Sequence, residues 1–409
     1  MKRTRNVLVG GTLVGLLVAL GAGQAMMERA AAAQQRSNIQ APRFEVDPLW
    51  PKPLPNHWIL GNNIGVWADD QDVIWTINRS GASLAPQEKA LDLKNGECCA
   101  GAPPVLGYDL AGNVVRHWGG EGQGYDWPDS NHGIFVDHTG SVWIGGNGPG
   151  DSHILKFTKD GKFLLQIGKP NARQVPGANP QAKPAFRRDS NDKMNFGRVA
   201  KITVDPKANE AYIADGYFNT RVAVLDASTG TMKRYWGAYG NKPDDVDLGP
   251  YDPNAPPAKQ FRNPVHCADL SKDGLLYVCD RVNDRLQVFR ADGTFVKEAF
   301  IMKNTKAAGS VWDVAFSRDP QQRYIYVADG INNRVHILQR DTLELLTSFG
   351  DGGRQPGQFY GVHSIATDSK GNIYTTETWE GKRLQKFVFK GVGRVTSPNQ
   401  GVLWPRSTN

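Results

Sequence analysis

Six times along this chain of 409 residues, a short segment of alternating polar and apolar residues runs into an Asp or Ser turn and a second such segment follows. The turn residues are Asp69, Asp137, Asp205, Ser271, Ser317 and Asp368, and residues 65–75 align on residues 133–143 without a gap. Period-two alternation bounded by Asp, Gly, Lys and Pro reads as strand, turn, strand. A third strand opens on Arg at Arg221, Arg285, Arg334 and Arg383, and a fourth ends in an aromatic-Gly pair such as Trp118-Gly119, Trp236-Gly237 or Phe349-Gly350. One such unit cannot bury its apolar faces alone, whereas units stacked around an axis can. The pattern therefore predicts an all-β fold, a six-bladed β-propeller over residues 61–395. The 45 Gly and 25 Pro suit a turn-rich β domain, and repeat folds of this length form one domain.

The same alignment brings Ile64, His132, Ala200, His266, Trp312 and His363 into one column, each five residues before its turn residue. In a closed propeller this column faces the central channel, with imidazoles on blades two, four and six. Three neutral imidazoles with a fourth position open are a catalytic zinc-type ligand set. A single channel histidine is usually a satisfied polar group, but here the three alternate with Ile, Ala and Trp. His138, His153 and His336 fall outside the register and read as surface or turn residues.

Asp215-Gly-Tyr-Phe-Asn-Thr-Arg221, Asp280-Arg-Val-Asn-Asp-Arg285 and Asp329-Gly-Ile-Asn-Asn-Arg334 share Asp, Asn and Arg between second and third strands. These read as structural, capping the turn and pairing between blades. Tyr217 and Arg281 vary inside the shared frame, and Arg79 ends the second strand of blade one. All three should open on the face where the histidines begin, beneath a rim made by the insertions at 81–104, 169–195 and 238–263. Read without function, Tyr217 is a turn aromatic and each arginine an interblade ion-pair partner.

Lys2, Arg3 and Arg5 precede an apolar stretch over residues 7–22, and Ala31-Ala-Ala33 offers a small-residue cleavage site. Residues 1–33 thus read as an export signal, cleaved or kept as an anchor, with no other membrane-spanning segment expected. Residues 34–60 read as a lead-in and 396–409 as a tail. A periplasmic or secreted location follows, and it permits disulfides. Cys267 and Cys279 flank the Ser271 turn symmetrically, so a hairpin sets them opposite each other. For the adjacent Cys98 and Cys99, a vicinal bridge, two thiols and a bridge to another molecule all remain open. A net charge of +7, without a Lys/Arg run beyond the start, argues against nucleic acid as a partner.

With these residues in view, the chain resembles the NHL-repeat propellers, and among them the peptidyl-α-hydroxyglycine amidating lyases. The resemblance runs over residues 64–389 and is densest at Gly65-Val66 through Arg79, His132-Gly-Ile134, the Asp-Gly-Tyr motif at Tyr217, Pro264-Val-His266, Asp280-Arg281 and Val362-His363. It implies zinc, or another divalent transition metal, on His132, His266 and His363. It also implies Tyr217 as base or metal-proximal group, and Arg79 and Arg281 in a pocket for a carboxylate-bearing small-molecule or peptide substrate. It further implies a structural calcium on the backbone carbonyls of Val66 and Ile134 and on the residue after the last histidine. That residue is Ser364 where the family has Asp, and a neutral hydroxyl is a poorer ligand for a hard cation. Gly361 stands where the family has Met.

The implied reaction splits an α-hydroxyglycine into an amide and glyoxylate with metal assistance. Two other classes stand beside it. A calcium-dependent hydrolase or lactonase on this fold needs channel carboxylates, and the column carries none. A non-catalytic NHL scaffold binding a protein partner needs no tri-histidine set.

Overall fold

Three of the four predicted turn Asp residues, Asp69, Asp137 and Asp368, tie their hairpins together in the same way, whereas Asp205 accepts only from the Lys207 backbone N–H among the described residues. Asp69 accepts from the backbone N–H of Val73 and from the Trp75 indole at 2.9 Å. Asp137 does so with Ser141 and with Trp143 at 2.8 Å, and Asp368 with Asn372 and the Tyr374 hydroxyl. The carboxylate caps the turn and anchors an aromatic ring on the second strand, so it sets both the turn and the register. Gly140 and Gly371 complete two of these turns at φ near +80°, which a side chain rarely adopts.

The computed structural model describes residues 39–177 and 185–405. It arranges six four-stranded antiparallel sheets as the blades of a propeller, each running outward from the channel. Blade one is Asn63–Ala68, Ile74–Asn78, Val105–Tyr108 and Val114–Trp118; blade two is Asn131–Val136, Ser141–Gly146, His153–Thr158 and Phe163–Gly168. Blade three comprises Val199–Asp205, Glu210–Asp215, Arg221–Asp226 and Met232–Trp236, and blade four Val265–Leu270, Leu275–Asp280, Arg285–Arg290 and Phe295–Phe300. Blade five is Asp313–Phe316, Tyr324–Asp329, Arg334–Gln339 and Leu345–Phe349. Apolar clusters fill the space between neighbouring blades, as with Phe135, Trp143, Ile202 and Ile213 between blades two and three.

Blade six holds a strand the repeat pattern does not contain. Its strands Val362–Thr367, Ile373–Glu377 and Leu384–Arg394 take Gln40–Asp47 as their outer partner, paired antiparallel from Gln40 with Arg394 to Asp47 with Lys386. Phe44 of this strand packs against Tyr326, Phe349 and Phe389. Segments from near both ends of the described chain thus close the ring and cover an edge that would otherwise stay unpaired. The segment read as a lead-in is therefore partly a propeller strand. The expected export signal, residues 1–33, lies outside the described residues. Among the described residues, no helix is long and apolar enough to cross a membrane.

Cys267 and Cys279 lie directly opposite each other and are bonded, with Cα atoms 4.8 Å apart; Cys98 and Cys99 are bonded to each other in the first insertion. Closing the 12-residue separation between Cys267 and Cys279 stabilises the fold by about 3 kcal/mol through the entropy it removes from the unfolded chain. Unfolded, unreduced protein should show no more than two titratable thiols, and reductant should lower its melting temperature. Four thiols would overturn the pairing.

Candidate metal centre

The column residues reach the channel through a repeated irregularity. On the inner strands of blades one, two, three, four and six the ladder slips at this position, between Asn63 and Gly65, His132 and Ile134, Val199 and Lys201, Val265 and Cys267, and Val362 and Ser364. A bulge of this kind adds a residue and turns a side chain out of the pleat. At blade two the residue after the histidine must be glycine. Gly133 has φ +67°, and a Cβ there would sit 2.5 Å from the Ala200 carbonyl oxygen.

His132, His266 and His363 converge, with ligand nitrogens all within 4.8 Å of one another. Each Nδ1 meets the backbone carbonyl of the column residue on the next blade: His132 with Ala200 at 2.7 Å, His266 with Trp312 at 2.5 Å and His363 with Ile64 at 2.6 Å. A carbonyl only accepts, so Nδ1 carries the proton and every Nε2 turns a lone pair to the axis. This explains the alternation in the column. The three residues between the histidines contribute backbone, so their side chains are free to be apolar. Such outer partners fix tautomer and ring orientation for a metal ligand. Burial pulls all three imidazoles below their ordinary range, His363 to about 3, and the nearby Arg281 cation adds to the effect in each. The rings are therefore neutral at physiological pH. Donor type, tautomer, charge and convergence all suit a zinc-type ion.

Tyr217 stands over two of the three rings. Its hydroxyl lies 3.0 Å from His132 Nε2 and 2.9 Å from His266 Nε2, and Arg281 donates to it at 3.3 Å. The Arg281 guanidinium stacks 4.4 Å above Trp312, while its buried Nε has no partner. Arg79 donates to the Asn131 carbonyl at 2.9 Å and to the Asn147 side chain at 2.6 Å. Among the described residues, neither arginine forms an ion pair, so the interblade ion-pair reading does not hold for them. Burial lowers the pKa of both, which marks guanidinium groups short of counter-charge. Two such groups beside one hydroxyl and three imidazoles carry the positive charge and the donors that an anion would need.

Other expectations need correction. His153 and His336 are buried strand residues, not surface ones: His153 bonds the Asp126 carbonyl and His336 bridges Asp329 and Ser348. A histidine on a strand's inward face is buried whatever its place in the column register. Arg221 and Arg285 pair within their own blades, with Asp215 and Asp280, and donate to carbonyls of the second and third insertions at Ser190, Asp192, Ala258 and Gln260. They pin the rim down instead of joining blades. The channel does contain acids one layer below the column, Asp269 and Asp313, both buried.

Two wall residues, Asn147 and Trp379, were outside the expected set, and the column residue Trp312 takes a role not assigned to it. Asn147 holds Arg79, Trp312 carries Arg281, and Trp379 packs edge-on to Trp312 with ring centroids 5.5 Å apart. Gly361 is explained by the last of these, since a Cβ there would meet the Trp379 ring at 2.6 Å. Trp312 was visible as the odd large member of the column, whereas Asn147 and Trp379 carry no pattern signal.

No family model matches the chain. It is 27% identical over 252 residues to peptidyl-glycine alpha-amidating monooxygenase B of Xenopus laevis, covering 59% of this chain and 24% of that one. It is 26% identical over 161 residues to a probable peptidyl-alpha-hydroxyglycine alpha-amidating lyase of Caenorhabditis elegans, covering 39% of this chain and 37% of that one. The chain is a propeller similar to the amidating lyases. NHL repeat-containing protein 3 of Mus musculus is 25% identical over 367 residues, 86% of this chain and 85% of its own length. The chain spans about a quarter or less of the two Xenopus amidating relatives, 24% and 17%.

Proposed function

We propose that this chain is an exported, metal-dependent lyase that cleaves the carbon–nitrogen bond of an α-hydroxyglycine-type substrate, giving an amide and glyoxylate. The observation that carries this is the convergence of three neutral, oriented imidazoles with one hydroxyl and two guanidinium groups that lack acid partners. His132, His266 and His363 would hold a zinc-type ion, which supplies Lewis-acid polarisation of a substrate oxygen when bound.

The protein groups account for the remaining chemistry. Arg281, with Arg79 across the site, neutralises the substrate carboxylate and orients it. The Tyr217 oxygen sits where it can take the proton from the substrate hydroxyl and pass one to the departing amide nitrogen. As the hydroxyl oxygen becomes the aldehyde oxygen of glyoxylate, the carbon–nitrogen bond breaks and its electron pair goes to nitrogen. No water is consumed. The two disulfides and the similarity to amidating enzymes support a periplasmic or secreted setting.

The deciding experiment is incubation of metal-loaded protein with an N-acyl-α-hydroxyglycine and an assay for glyoxylate. Release should exceed the uncatalysed rate, stop with a strong chelator and return with zinc. Release that is absent, or indifferent to metal, would end the lyase reading.

A further inference from the structure

One layer below the histidines, the channel contains a cation of its own. Lys201 follows the column residue Ala200 and is buried, with its ammonium 2.9 Å from Asp269 and 2.5 Å from Asp313. Asp313 also accepts from the Ser364 hydroxyl at 2.6 Å and from the backbone N–H groups of Val314 and Ile365. Ser364 in turn accepts from the backbone N–H of Val66 at 3.3 Å. Lys201, Asp269, Asp313, Ser364 and Val66 belong to blades three, four, five, six and one, so a single charged network links five of the six blades.

The structural calcium implied by the resemblance does not fit this arrangement. The carboxylate expected at 364 is absent, and the Ser364 hydroxyl there is committed at both ends, donating to Asp313 and accepting from Val66. The nearby acids already face an ammonium. Between the histidines and this layer the channel has only about 10 Å³ of space, scarcely room for one water. Burial acts to lower the Lys201 pKa, but Asp269 and Asp313 outweigh it and hold the group protonated. We infer that the Lys201 ammonium is the propeller's tethered channel cation, doing the work a bound calcium is implied to do in the lyases it resembles. This inference does not depend on the lyase reading.

The test is thermal melting of the full chain with a calcium chelator and with millimolar calcium. The wild-type melting temperature should be the same in both, and purified protein should hold no stoichiometric calcium. Lys201→Ala should melt lower by at least about 5 °C, because removing one member of a buried charge cluster leaves the others uncompensated. Calcium, which can approach Asp269 from the roughly 790 Å³ funnel on the opposite face, should recover part of that loss. Lys201→Ala/Asp313→Asn should lose the recovery. If Lys201→Ala does not fold, Lys201→Met with Asp269→Asn and Asp313→Asn should fold, showing that uncompensated charge was the cause. A wild-type melt that falls in chelator, one calcium per purified chain, or a Lys201→Ala melt equal to wild type would each overturn the inference.

Discussion

His266→Ala should abolish metal binding while the propeller stays folded. Wild-type protein, purified without chelator and analysed for metals, should carry about one zinc-type ion per chain, and the variant close to none. Loss of an outer partner of a metal ligand typically costs 10–100-fold in affinity, and loss of the ligand itself costs more. Two imidazoles and a tyrosine hydroxyl do not replace three oriented lone pairs. The fold should tolerate the change because His266 serves the channel and not the interblade core. Its one backbone partner, the Trp312 carbonyl, loses a hydrogen bond at a cost of about 1–3 kcal/mol. Glyoxylate release should fall to background with the metal. Wild-type protein free of transition metal under these conditions would remove the metal-centre reading, and the lyase reading with it.

The column was legible because a propeller repeats one register six times. In blades one, two and six the turn Asp that aligns the units also fixes the hairpin, through the Trp75, Trp143 and Tyr374 side chains, and in blades four and five the Ser271 and Ser317 hydroxyls accept from the second strand instead. Aligning on the turn residue thus amounts to aligning on hydrogen bonds. The same logic placed Tyr217, Arg79 and Arg281 on one face, because strand direction decides which loops open together. Features set by long-range pairing were not legible. Gln40–Asp47 joins blade six across more than three hundred residues of chain, and nothing local in its composition names its partner. The buried acids were missed for a related reason. Asp269 and Asp313 look like ordinary turn-proximal carboxylates until the ring brings Lys201 between them from another blade. Charge pairs across an axis leave no spacing signal in a single sequence.

Tyr217→Phe separates holding the metal from using it. The substitution removes one oxygen from a half-buried loop residue and leaves the ring that packs edge-on to His132 and His266 at 4.9 and 5.5 Å. Metal content and melting temperature should therefore stay close to wild type. Turnover should drop by about 100-fold or more if the hydroxyl carries the proton, since general acid–base groups contribute about 10²–10⁴-fold. The loss should appear in kcat with KM little changed, because the carboxylate contacts assigned to Arg281 and Arg79 survive. Arg281 does lose its contact to the hydroxyl, but it keeps its stack on Trp312. Arg281→Ala should give the opposite split, a raised KM for carboxylate-bearing substrates above all. If Tyr217→Phe keeps full turnover, the proton must travel by another route, and the hydroxyl between the two imidazoles serves only to shape the centre. If instead it loses its metal, Tyr217 belongs to the ligand set and not to the proton path.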